Sequence, residues 1–274
     1  MVTNQNKIRT HAKKSSGKKM NKNFRGKKKI IGTVLYHKNF QSVFLDNKRD
    51  IFVWLPPSYM VLPEKKYPVL YMHDGQNLID PETSFAGMDW RVDESVTKLI
   101  NEGKMKEIVI VGFNNTQDRL EEYSDSEKGN KYIKFVTEEL KPFIDSDYKT
   151  LSDSKDTAII GSSMGGLISF LIAWRRPDIF SMAGCLSSSF YYNNDKIFET
   201  VKNDSLPKKG LKIYIDHGED GLIRGQKMFS LLTQMGYIIG TDIDYFYAPG
   251  AEHNENAWAD RLSRPLLFFF GEPL

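Results

Sequence analysis

Cysteine is almost missing from this 274-residue chain: Cys185 is the only one, so no disulfide can form within it. A lone cysteine fits a reducing compartment, and cytoplasmic residence is the expectation. Cys185 lies in an apolar run and reads as a small core residue rather than a nucleophile. No apolar run is long enough to span a membrane. The N-terminus also lacks the apolar segment and small-residue cleavage site of a secretory signal. Acidic residues are absent from the first 29 positions, where eleven Lys and Arg fall. The remainder carries 27 basic against 35 acidic residues, a net of about −8, so the basic character belongs to a tail. Residues 1–29, rich in Lys, Asn, Ser and Gly, read as a disordered, solvated extension. They have no interleaved aromatics for base stacking, so nucleic acid is not an expected partner. At 40% hydrophobic residues, positions 30–274 suffice for one globular domain.

What is present alternates between two periods. Ile30 to His37 and Arg49 to Leu55 read as an antiparallel pair of strands closed by Pro56 and Pro57. Buried strands are expected over Tyr67 to Met72, Ile108 to Phe113, Asp156 to Ile160, Phe180 to Leu186, Leu211 to Asp216 and Ile243 to Tyr247. Between them helices are expected over Asp93 to Glu102, Asn130 to Ile144, from Leu167 through Trp174, Ile223 to Met235, and Trp258 to Phe270. Such alternation predicts an α/β fold: a mostly parallel central sheet with helices on both faces. In sheets of this kind sites form beyond the carboxyl ends of the strands.

One turn stands out against that frame. Gly161-Ser162-Ser163-Met164-Gly165 matches G-x-S-x-G between an expected strand and an expected helix. That is the context of a nucleophile elbow, with Ser163 at its centre. Glycines at 161 and 165 suit a turn so sharp that side chains would meet neighbouring backbone. A serine hydroxyl needs a base to take its proton and a carboxylate to hold that base. In the order nucleophile, acid, base, His253 is the histidine left downstream, in the loop after Ile243 to Tyr247. The acid belongs to His217-Gly218-Glu219-Asp220, with Asp220 further out on the loop and Glu219 its rival. Asp216 reads as structural, and His217 as loop-shaping or a second polar contact. Oxyanion donors are expected from the amide of Met164, at the helix start, and of Gln76, beside Gly75. His73-Asp74 reads as a polar turn; no further His or Cys follows at ligand spacing, so neither metal nor cofactor is expected. Trp90, Phe190, Tyr191 and Trp258, near strand ends, are candidates for an acyl or alcohol pocket.

Tyr67 to Asn77 (Y-P-V-L-Y-M-H-D-G-Q-N), Arg119 to Tyr123 (R-L-E-E-Y), G-S-S-M-G-G, His217 to Ile223, and His253 to Trp258 form a set of motifs. Together they resemble those of the esterase family of the α/β-hydrolase fold. The family includes feruloyl, acetyl-xylan and enterochelin esterases, S-formylglutathione hydrolase and mycolyltransferases. The resemblance runs from about Gly32 to Leu267 and implies a serine esterase of residues 30–274 acting on small ester substrates. It puts Ser163, Asp220 and His253 on the family's nucleophile, acid and base. Asp220 is favoured over Glu219 because Gly221-Leu222-Ile223 follows it, as in feruloyl esterase-like members. Where many members have His-Gly at the oxyanion loop, this chain has Asp74-Gly75. Arg119, taken with Glu122, is a candidate contact for a polar or anionic substrate group, as a similar arginine is in siderophore-cleaving relatives. A surface ion pair is the competing reading. Substrates in view are acetylated or feruloylated carbohydrates and siderophore esters. Acyl transfer through the same residues, and a non-catalytic binding protein, are the alternatives.

Overall fold

A computed structural model of the chain describes residues 29–205 and 208–272. The basic N-terminal stretch therefore lies outside the described residues. Among the described residues eight strands form one sheet: β1 (Thr33–Gln41), β2 (Lys48–Leu55), β3 (Val69–His73), β4 (Val109–Phe113), β5 (Thr157–Ser162), β6 (Met182–Leu186), β7 (Lys212–His217) and β8 (Ile243–Tyr247). Their order is β1-β2-β4-β3-β5-β6-β7-β8. The first two strands pair antiparallel, β2 meets β4 antiparallel, and every later pairing is parallel.

Strand alternation feeds two separate cores. Ile51, Val53, Tyr71, Val111, Ile159 and Ile213 point to one face; Phe52, Trp54, Met72, Ile110, Ile160 and Tyr214 point to the other. The first face is covered by the helical run 127–147, α5 (Met164–Arg175), α6 (Tyr192–Lys202) and α7 (Leu222–Gln234). The second is covered by α1 (Val92–Asn101), α8 (Glu255–Arg261) and α9 (Ser263–Phe270). Cys185 is buried in the first core, where desolvation pushes its thiol up. Among the described residues no helix is long and apolar enough to cross a membrane.

Two helices depart from the sequence expectation, each at a proline. The expected helix over Asn130 to Ile144 is α3 (Glu127–Lys134), a π-helical stretch (Phe135–Leu140) and α4 (Lys141–Asp147). Pro142 has no N–H to give the carbonyl four residues back, and its ring crowds that carbonyl; widening to a π register relieves both. The amide of Lys141 accordingly bonds Val136, five residues back. The expected final helix is split at Leu262 into α8 and α9, where Pro265 cannot bond the carbonyl of Arg261. Two short helices, α2 (Arg119–Glu122) and α6, fall where no helix is expected from the sequence.

Candidate active site

β5 and α5 are joined by a single residue, Ser163, at φ 55° and ψ −122°. A serine holds that strained conformation only where its surroundings over-determine it. Here the amide of Ser163 donates to the carbonyl of Leu186 (2.9 Å), and its carbonyl accepts from the amide of Ser189 (3.0 Å). A Cβ on Gly161 would sit 2.6 Å from the backbone of Gly165, and one on Gly166 would sit 2.1 Å from Ser188 Oγ. At Gly165 the nearest approach would be 3.4 Å, so of the two motif glycines the strict demand, a clash with backbone, falls on 161. The hydroxyl of Ser163 lies 3.2 Å from Ser189 Oγ, a contact not anticipated from the sequence. The amide of Met164 stands in the first turn of α5, where helical N–H groups have no intrahelical acceptor.

After β3 the chain turns through Asp74, at φ 58°, into a 3-10 turn over Gly75–Asn77. A Cβ on Gly75 would lie 2.7 Å from the amide nitrogen of Phe113, so only glycine allows this turn against β4. Asp74 is gripped by Arg119 through Nε (2.8 Å) and Nη2 (2.7 Å), and by Asn115 Nδ2 (2.6 Å). Burial pushes its carboxyl up, but these partners prevail and hold it below the usual carboxylate range. Arg119 in turn is not paired with Glu122. That carboxylate is fully buried 2.9 Å from Arg49 Nη2, so the sequence reading of an Arg119–Glu122 pair is corrected. The helix α2 turns the two side chains to different neighbours. His73 bonds the hydroxyl of Tyr132 through Nδ1 (2.9 Å), and burial pushes its pKa down to about 3.

A cavity of about 410 Å³ opens over the elbow, lined among others by Ser163, His253, Asp74, Gln76, Arg119 and Trp258. Ser163 and His253, 90 positions apart in sequence, therefore face one space. The imidazole meets Trp258 edge to face, with centroids 5.1 Å apart. Trp90 is not among the lining residues; it packs behind Trp258 in the second core, centroids 5.7 Å apart. Phe190 is likewise buried, against Phe170, and Tyr191 is exposed. Phe85, 94% exposed at the cavity wall, was not singled out in the sequence; a lone aromatic in a polar loop gives no periodic signal.

β7 and β8 are parallel neighbours, with His217 opposite Tyr247, so the loops that follow them run side by side. After β7, Glu219–Gly221 form a 3-10 turn carrying Asp220, whose side chain lies outside the described set. Glu219 accepts hydrogen bonds from the hydroxyl of Tyr247 (2.5 Å) and the amide of Gly250 (3.3 Å). Those bonds hold its carboxyl below the usual range. His217 is buried, bonded to the carbonyl of Gly218 (2.8 Å) and to Tyr245 Oη (2.5 Å), which is a loop-shaping role. Asp216 is buried against Arg261 Nε (2.9 Å); desolvation raises its pKa to about 6 although the guanidinium opposes the shift. Among the described residues, Asp89, Asp93 and Glu94 offer carboxylate oxygens within 4.8 Å of one another, but none of the three lines the cavity.

Known proteins share this architecture. A solved ferulic acid esterase superposes with a TM-score of 0.72 at 24% identity, covering 87% of this chain and 98% of that one. The enterobactin esterase FES from Shigella flexneri, solved in the presence of enterobactin, superposes at 0.74 with 17% identity, covering 86% and 58%. At such identities the likeness is one of fold. The endo-1,4-beta-xylanase/feruloyl esterase of Xylanibacter ruminicola is 32% identical over 143 residues, which are 51% of this chain and 19% of that protein. The Esterase family model, described as "Putative esterase", matches residues 42–269. With that match across β2 to β8 and the whole cavity, the chain belongs to the esterase family of the α/β-hydrolase fold and is a hydrolase of carboxylic esters.

Proposed function

We propose that the protein is a serine carboxylesterase in which Ser163 is the nucleophile, His253 the base and Asp220 the acid. One observation carries this reading: Ser163 sits in a strained turn between β5 and α5 and opens into the cavity that His253 also lines. Ser163 Oγ attacks the ester carbonyl carbon while its proton passes to the imidazole of His253. The carbonyl oxygen becomes an oxyanion, met by the amides of Met164 and Gln76. Collapse breaks the bond to the alcohol oxygen, which leaves with the proton held on the imidazolium. Water then attacks the acyl-enzyme by the same route and releases the carboxylic acid and Ser163. Asp220 orients the imidazole from the turn after β7, whose neighbour β8 leads to the loop of His253.

The cavity wall combines Trp258 and Phe85 with the polar Asn115, Gln76 and Arg119. That mixture suits an aromatic acyl group on a polar carrier, as in a feruloylated carbohydrate or a catecholate siderophore ester. The feruloyl and enterobactin esterase neighbours support the same two classes. Hydrolysis of p-nitrophenyl acetate and butyrate, followed by a panel of feruloyl, acetyl and siderophore esters, tests the reading. Turnover by the wild type no greater than by Ser163→Ala would sink it.

A further inference from the structure

An ionised carboxylate is an awkward neighbour for an oxyanion, yet Asp74 stands one residue before the Gly75–Asn77 turn and lines the same cavity as Ser163. Its Oδ2 also faces the open side of Gly165, the residue after Met164: a Cβ built there would meet it at 3.4 Å. Both amides assigned to the oxyanion thus belong to segments that neighbour this carboxylate, one beginning at the next residue and one that its Oδ2 faces. A negative charge so close opposes the charge that develops in the transition state, where a dry site amplifies electrostatics. What offsets it is the two-pronged bond from Arg119, whose guanidinium also lies over the Tyr123 ring at 5.0 Å. The side chains are only 26% and 8% exposed, so water does little of this screening. Asn115 completes the clamp, donating from Nδ2 to Asp74 and from its backbone amide to Gln76 Oε1 (3.2 Å).

We propose that Arg119 is a positioning residue that neutralises Asp74 and so fixes the Gly75–Asn77 turn for oxyanion binding, rather than chiefly a substrate anchor. The inference rests on the serine-hydrolase reading above. It gives the Asp74-Gly75 departure from His-Gly a physical meaning: a charged side chain here requires a dedicated counter-ion. A forked, charge-assisted pair also holds the turn in one geometry more firmly than a neutral contact.

The test is a double-mutant cycle on p-nitrophenyl butyrate, with kcat and KM measured separately. R119M is expected to lose about 100-fold in kcat, the scale of an impaired oxyanion site, with KM changed less than about threefold. In D74N/R119M, which holds no unpaired buried charge, kcat is expected to return to within about threefold of D74N. A double variant as slow as R119M, or an R119M defect confined to KM, overturns the proposal. Should R119M fail to fold, D74N against D74N/R119M still decides: equal kcat supports it, and a further loss of about tenfold overturns it. Wild-type turnover no better than that of Ser163→Ala strikes the hydrolase reading itself, and this inference with it.

Discussion

The two halves of the site are built differently. On the side of β3 and β5, Asp74, Gly75, Gly161, Ser162 and Met164 are buried, and backbone, ion pair and glycine sterics leave one arrangement. On the side of β7 and β8, Glu219, Gly250, Glu252 and His253 are exposed, tied by the bonds of Glu219 across the two loops. The difference follows from what each half does in the proposed reaction. Oxyanion binding depends on backbone amides, and the aim of Ser163 Oγ on a strained backbone turn, both of which packing fixes. Proton transfer depends on one side chain, which a loop can carry.

If that contrast is right, damage to the two halves has different signatures. The largest effect is expected at the reacting groups. Ser163→Ala and His253→Ala should each lower kcat by roughly 10⁴-fold or more. The His253 variant should keep its unfolding free energy within about 0.5 kcal/mol of wild type, as exposed positions do; paired kinetics and urea titration measure both. Next comes the acid. Asp220→Asn should cost about 10³-fold or more in kcat and Glu219→Gln less than about tenfold, because Glu219 is engaged with Tyr247 and Gly250. The reverse ranking in steady-state kinetics would move the acid to Glu219.

On the buried half a methyl group is enough. Gly161→Ala forces an approach of 2.6 Å onto backbone and should lose roughly 1–3 kcal/mol or more of stability along with activity. Gly165→Ala, facing 3.4 Å, should be much milder, and thermal unfolding ranks the pair. The effect that leaves neutral-pH behaviour untouched is a pH slope from His73. Burial pushes its pKa from 6.5 to about 3, so the native state refuses a proton that the unfolded chain accepts. Its contribution is therefore complete above pH 6.5 and is lost as pH falls toward 3, by up to roughly 1.4 kcal/mol per unit. His73→Asn should flatten the wild-type slope between those limits in urea titrations.

Much of the fold was legible because burial on two faces leaves runs such as Val109 to Phe113 with no polar break. The antiparallel start, the parallel remainder and the elbow all follow the expected order. The breaks at Pro142 and Pro265 leave no mark on the apolar spacing, which tracks the buried face, and a π turn or a one-residue break leaves that face nearly intact. Trp90 and Phe190 share with Trp258 a place near strand ends, yet both pack in the cores. Distance along the chain cannot say which aromatic reaches the cavity and which packs behind it. Arg119 and Glu122 sit at helical spacing, and nothing local reveals that Asp74 and Arg49 compete for them and win.

Local chemistry alone therefore determined the elbow, the strand alternation and the order of candidate groups, since each depends on neighbours a few residues away. Only tertiary structure decided which groups share a space: Ser163 with His253, Asp74 with Arg119, Glu219 with Tyr247. Those partnerships are set by how the sheet brings the carboxyl ends of β3, β5, β7 and β8 to one rim. No short stretch of chain contains that information.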